Sequence, residues 1–262
     1  MTAMRVTVVI PAYREDDAIL PVLTRIDDGV TLPHEVIVVV DDDADSTIPY
    51  VQEYAAGAPW VRVAVQDYGP GPANAIRYGI DKASAPTVVV TMADGSDDVR
   101  TIDDMVRLSE RGCVVVAASR YMPGGRQIGG PRVKGMLSRM AGMTLHTLAG
   151  VGTRDATNSF KAYSTEFVHQ VGIESRAGFE IGLELTAKAR RLRLPIAEIP
   201  TIWLDRNFGA SNFHVQEWLP EYLAWYRFAY GPPMTMEQMI ARRQALHTPA
   251  GRDGVASEGT DA

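Results

Sequence analysis

Glu35-Val36-Ile37-Val38-Val39-Val40-Asp41-Asp42-Asp43 decides the fold. Val36 to Val40 are all β-branched aliphatic residues, which suit a strand covered on both faces, as in parallel sheets. The carboxylates that follow end the strand at a polar edge. Working outward, Val6-Thr7-Val8-Val9-Ile10 reads as a strand of the same kind, and so do residues 61–65, 87–91 and 114–118. Helical patterns fill the gaps at 16–28, 47–56, 73–84 and 99–111. Strand–helix alternation at this spacing predicts a mostly parallel α/β sheet wound by helices through right-handed crossovers. The regularity changes near residue 119. Residues 119–130 read as a loop, 132–148 and 178–191 as helices, 196–203 as a strand, and the aromatic-rich 215–230 as a helix. The expected organisation is a catalytic domain over 1–214, a helical extension over 215–246 and a disordered tail over 247–262.

The chain has 262 residues, 46% of them apolar, enough to bury one large core. Its net charge of −6 disfavours nucleic acid as a partner. The lone cysteine, Cys113, cannot close an internal disulfide and opens an apolar run, so it reads as a core thiol. No signal peptide and no run of about 18 apolar residues is visible, which gives a cytoplasmic expectation. Trp218, Tyr222, Trp225, Tyr226 and Phe228 recur at helical spacing. They are expected on a packed helix, with peripheral membrane contact or a homodimer face as the alternatives.

In open α/β sheets, ligands bind beyond the carboxyl ends of the strands. Those ends carry Pro11-Ala12-Tyr13-Arg14-Glu15, Asp41-Asp42-Asp43-Ala44-Asp45, Asp67 to Asn74, and Asp94-Gly95-Ser96-Asp97-Asp98. Ser46, Asp97 and Asp98 could serve only as helix caps. Converging carboxylates are costly unless a cation offsets them. Oxygen ligands without nearby Cys or His favour Mg²⁺ or Mn²⁺, completed by water and substrate phosphates. A nucleoside diphosphate is therefore the expected ligand. No Walker loop occurs, and no G-x-G-x-x-G opens a helix after the first strand, which disfavours a kinase, GTPase or dehydrogenase.

The chain resembles the family-two glycosyltransferases, and among them the dolichyl-phosphate mannose synthase-like branch. The likeness rests on the segments Val8 to Glu15, Glu35 to Asp42 and Gly69 to Gly79, then on Asp94, Ser119-Arg120-Tyr121, and Asp155 with Asn158-Ser159-Phe160-Lys161. It continues through Gly178-Phe179-Glu180 with Glu184, and Arg206 with Gly209 and Ser211. The resemblance implies a GT-A fold and a metal-dependent transfer of a hexose from a GDP- or UDP-sugar. The acceptor would be a small molecule or a lipid phosphate. In these terms Pro11, Tyr13 and Glu15, with Asp41 or Asp42, hold the base and ribose. Gly71 and Ala73 let backbone approach the nucleotide. Asp94 binds the metal, and Arg206 and Ser211 serve the diphosphate. Arg120, Lys134 and Ser138 grip the acceptor. Asp155 is the expected general base for a hydroxyl acceptor, with Asp97 second; an anionic phosphate acceptor needs none.

Two departures stand out. The family's Asp-x-Asp metal motif reads Met92-Ala93-Asp94, and a thioether is a poor ligand for a hard ion. Ser96, Asp97, water or His214 could complete the shell. The usual Lys after the late serine is Asn212. These changes keep open a nucleotide-sugar mutase on the same scaffold, working without an external acceptor, and a non-catalytic binder.

Overall fold

In a computed structural model, the chain is described over residues 3–176, 178–205 and 215–247. The side chains at 132, 134, 215–218, 246 and 247 are not part of that description. The first half alternates strictly. It runs β1 Val6–Pro11, α1 Ile19–Gly29, β2 His34–Val40, α2 Ile48–Ala55, β3 Val61–Val65, α3 Pro72–Asp81, β4 Thr87–Val90, α4 Ile102–Glu110 and β5 Val115–Ser119. The second half holds β6 Arg126–Ile128, α5 Arg132–Thr144, β7 Lys161–Ser164, α6 Thr165–Val171, α7 Ile181–Arg191, β8 Ile196–Pro200, β9 Ile202–Leu204, α8 Val215–Ala229 and α9 Met236–His247.

Among the described residues, seven strands form one sheet in the order β3-β2-β1-β4-β7-β5-β8. Every residue of β1 is buried, as its unbroken Val/Ile run requires. It pairs in parallel with β2, Val8 opposite Val36, and with β4, Val9 opposite Val90. Helices cover both faces and divide the core in two. Ile10, Leu23, Val38 and Met105 lie on one side; Val9, Ile37, Ile80 and Leu185 lie on the other. α3 comes so close to β1 that a Cβ on Gly79 would strike the Val9 side chain.

The sheet is mixed rather than all parallel. β7 runs antiparallel between β4 and β5, with Val88 opposite Tyr163 and Val116 opposite Ala162. This reversal positions the site. Because β7 runs backwards, its entry, residues 155–161, arrives at the same edge where β1 to β5 end.

The expected strand 196–203 is two strands in two sheets. β8 extends the main sheet beside β5, whereas β9 pairs with β6, inside the expected loop, in a separate ribbon. Pro200 has no N–H to continue a ladder. Thr201 makes the switch, donating to the Ser119 carbonyl at 3.1 Å and accepting from the Arg126 N–H at 2.9 Å.

α8 packs on α7 and on the π-helical turn Leu145–Ala149. Trp225 and Ala229 are buried with Leu145, Ala156, Leu183 and Ala187. The aromatic segment thus buries part of its face in its own chain, while Leu219 and Leu223 stay exposed. No helix among the described residues is long and apolar enough to cross a membrane.

Candidate active site

The β1–α1 turn is held from below. Arg14 takes φ 54° and Asp16 φ 49°, a region non-glycine residues avoid. The Asp45 carboxylate accepts the Arg14 N–H at 3.0 and 3.2 Å, and Thr47 Oγ1 accepts the Glu15 N–H at 3.0 Å. Asp45 is 3% exposed and also accepts from the Thr47 N–H. These anchors leave Tyr13 half exposed at the sheet edge, with the Arg14 guanidinium over its ring. The sequence reading missed Asp45 and Thr47; the signal was local, an Asp two residues before a Thr at a helix start.

Asp41 and Asp42 do different things. Asp41 spans from β2 to the glycine loop. Its Oδ1 accepts from Gln66 Nε2 at 2.9 Å, and its Oδ2 from the Gly71 N–H at 3.0 Å. Gly71 adopts φ 114° just before Pro72 opens α3. Its N–H is therefore committed to Asp41, and the expected backbone approach to a nucleotide cannot use that donor as it stands. Asp42 is exposed and makes only a local turn with the Ala44 N–H. Ala73 is fully buried beneath the loop.

The loop after β4 is braced from both sides. Arg25 of α1 donates to the carbonyls of Gly95 and Asp97, and the Leu204 N–H of β9 donates to the Ser96 carbonyl. Asp94 Oδ1 accepts the Ser96 N–H at 3.0 Å; its Oδ2 accepts no hydrogen bond among the described residues. Ser96 Oγ is buried and has no partner there either. Asp97 is 3% exposed, accepting from Thr91 Oγ1 at 2.9 Å and the Met92 N–H at 3.3 Å. Burial, with Asp94 close by, pushes its carboxyl up to about 7. Asp98 is a cap, accepting from the Arg100 N–H.

These groups fit a hard divalent ion. The donors are all oxygen: a carboxylate oxygen with no partner, an orphaned hydroxyl and a second carboxyl that resists ionising without a cation. They do not close a site alone. No group of three or more His, Cys, Asp or Glu that could hold an ion occurs among the described residues. Arg206, Ser211 and His214 lie outside the described residues, as does the side chain of Lys134.

Beside this loop sits a buried basic group. Asp155 is fully buried and takes Arg120 in a two-pronged pair, Oδ2 from Nε at 2.7 Å and Oδ1 from Nη2 at 2.9 Å. Its Oδ2 also accepts the Arg120 N–H at 3.0 Å. Burial alone would depress the guanidinium, but Asp155 more than offsets this and holds it above its ordinary value. Arg120 Nη2 also reaches Ser138 Oγ at 3.3 Å. Ser138 Oγ in turn meets Thr157 Oγ1 at 2.6 Å and the Tyr121 hydroxyl at 3.1 Å. The two Nη1 donors make no hydrogen bond among the described residues.

This arrangement bears on the expectation that Asp155 is a general base. A general base must touch the proton it removes. Asp155 has no exposure and both its oxygens accept from Arg120, so as folded it holds that arginine and meets no proton of a bound hydroxyl. Lys161 is fully buried nearby, donating to the Ala156 carbonyl at 3.1 Å and to that of Asn158. Burial pulls its ammonium down to about 7, against the pull of Asp155. Cys113 lies away from these groups, and burial pushes its thiol up, away from the reactive thiolate.

The chain is 29% identical over 218 residues to an undecaprenyl-phosphate mannosyltransferase of Micrococcus luteus, covering 80% of this chain and 87% of that protein. It is 26% identical over 230 residues to a polyprenol monophosphomannose synthase of Mycolicibacterium smegmatis, with coverage of 82% and 86%. The glucosyl-3-phosphoglycerate synthase of Mycobacterium tuberculosis, solved with Mn²⁺, UDP and glucosyl-3-phosphoglycerate, superposes with a TM-score of 0.61. That match is at 20% identity over 88% of this chain and 81% of the other, so it speaks to the fold. The same enzyme with Mg²⁺ and UDP gives the same score. The model of glycosyl transferase family 2 matches residues 7–172, the stretch that carries the carboxylate edge, the Asp94 loop and the Arg120–Asp155 pair. On the sheet, the site and this match together, the chain belongs to glycosyl transferase family 2, as a glycosyltransferase of GT-A fold.

Proposed function

We propose that this glycosyltransferase moves a hexose from a GDP- or UDP-sugar to an anionic phosphate acceptor of polyprenyl-phosphate type, with Mg²⁺ or Mn²⁺ bound at Asp94. The observation that carries the reading is Arg120. A guanidinium kept charged and aimed by a buried carboxylate, with two donors left over, is a preformed seat for a phosphate. Ser138 and the Tyr121 hydroxyl stand beside it and can add neutral hydrogen bonds. A phosphate acceptor is already a nucleophile and needs no base, which agrees with an Asp155 that no hydroxyl can reach. The relatives are named an undecaprenyl-phosphate mannosyltransferase and a polyprenol monophosphomannose synthase, and this supports the same acceptor class here.

On the donor side, Tyr13, Glu15 and Asp42 line the edge where a base and ribose would lie. Asp94, Ser96 and Asp97 would hold the ion, whose bound charge stabilises the leaving diphosphate. Arg206 and Ser211 remain proposed diphosphate contacts, and His214 and Lys134 remain proposed ligands of the metal and the acceptor. Asp97, with its carboxyl near neutrality, is the remaining candidate base should the acceptor be a hydroxyl.

The test is a product analysis by mass and NMR, with Mn²⁺, GDP- and UDP-hexoses, and a short polyprenyl phosphate supplied or withheld. Glycosylated polyprenyl phosphate, formed only when acceptor is present and lost in Arg120→Ala, is the expected result. An isomerised donor of unchanged mass without acceptor would replace the transferase reading by the mutase. Nucleotide-sugar binding without turnover under any condition would leave a binding protein.

A further inference from the structure

We propose that the outer face of α5 is a docking surface for an anionic lipid bilayer. The helix is inside out. A helix on a globular protein turns its large apolar residues to the core. Here the inner face is small: Gly135 lies over the Gln127 side chain, Ser138 bonds to Arg120, and a Cβ on Gly142 would strike the Arg154 carbonyl. The large residues point outward. Val133 is 67% exposed, Met136 56%, Leu137 58%, Met140 57%, and Leu148, in the following π-turn, 73%. At about 100° per residue the four helical positions fall in one arc of roughly 100°.

Charge identifies the partner. From Pro131 to Gly150, which spans this helix and the turn after it, the sequence has three Lys or Arg residues and no Asp or Glu, in a chain of net charge −6. Arg139 is exposed on one flank of the apolar arc, and Arg132 and Lys134 are its neighbours in sequence. An apolar stripe flanked by cations, free of acids, is the pattern that lies in the plane of an anionic membrane surface. The inner side of the same helix carries Ser138, so docking this face would bring the proposed acceptor seat to the depth of lipid headgroups. That last step rests on the acceptor reading above; the surface itself does not.

Flotation of the full chain with vesicles decides it, using phosphatidylcholine alone or with phosphatidylglycerol. Binding to the anionic vesicles, weak binding to the neutral ones, and at least a tenfold loss of anionic binding in Met136→Glu/Met140→Glu are expected. Nucleotide-sugar binding should be unchanged in that variant, which shows that it is folded. No binding of the wild-type chain to anionic vesicles, or equal binding by the variant, would overturn the proposal. So would sedimentation showing a wild-type dimer that the variant splits, since the face would then serve a second copy. Vesicle binding without transfer to polyprenyl phosphate would sink the acceptor reading and leave the surface standing.

Discussion

Asp155 and Arg120 act as one unit, and removing either half has unequal effects. Asp155→Ala would leave a buried guanidinium without its counter-charge, a change that costs about 3–5 kcal/mol in buried pairs. The isosteric Asp155→Asn keeps one acceptor and should cost less stability while still loosening the aim of Arg120. Its expected signature is a raised KM for the phosphate acceptor with donor binding unchanged, read from steady-state kinetics and nucleotide titration. A loss of donor binding instead would mean that the pair holds the fold and not the acceptor. Lys161 offers a pH test. Its folded value of about 7 lies below the ordinary 10.5 of lysine, so between these values the unfolded chain binds the extra proton. Stability should therefore rise as pH climbs from about 7 to about 10.5, and Lys161→Met should remove that slope. Chemical unfolding at pH 7 and pH 9 measures it. That Arg120 and Ser138 stand together was legible in the sequence because their motifs are compact. The pairing of Asp155 with Arg120 was not legible, because burial and a partner 35 positions away leave no local trace. Gln66, which fixes Asp41, gave no signal at all.

At the scale of elements, α7 carries a buried device of its own. Lys188 and Glu184, one turn apart, meet at 2.6 Å with neither side chain exposed, and Lys188 also pairs with Glu174 at 3.0 Å. The Glu184 carboxylate accepts the N–H groups of Glu174 and Ser175, so the segment after α6 hangs from α7. The Lys188 ammonium lies 5.3 Å from the Trp225 ring, which extends the contact to α8. Lys188→Met would leave two buried carboxylates facing each other and should cost about 3–5 kcal/mol. A fall in denaturant midpoint with unchanged slope is the expected reading. A change of slope would point instead to α8 and α9 coming away from the rest. The strands of the first half were legible because each is a run of Val and Ile between helices, and pattern alone distinguishes them. β7 was not. Lys161-Ala162-Tyr163-Ser164 has a lysine in it and no apolar run, and only the neighbouring strands β4 and β5 make it a strand. The same holds for β6, three residues whose pairing partner is 76 positions away.

The whole molecule joins two half-sites across one sheet edge. The strands β1 to β4 bring Tyr13, Asp42 and Asp94 to that edge, and β5 brings Arg120. The reversed β7 closes the gap by delivering Asp155 to the same edge, so that the groups proposed for donor and acceptor share one sheet edge. A nucleoside diphosphate bound there should stabilise the entire domain, not one loop. At a concentration of about 100 times its Kd, the expected gain is about 2.7 kcal/mol. Because Met92 replaces the first acid of the usual pair, Asp94 is the one carboxylate of the motif left to hold the ion. The gain should then depend on Mn²⁺ in the wild-type chain and lose that dependence in Asp94→Ala, measured by thermal unfolding with GDP and with UDP. The same variant should transfer at least about 100-fold more slowly, since one preorganised charge at the leaving group is worth about 3–4 kcal/mol. If Asp94→Ala kept both the Mn²⁺ dependence and the rate, the ion would sit elsewhere on the edge. Asp97 and Ser96 would then be the next positions to change.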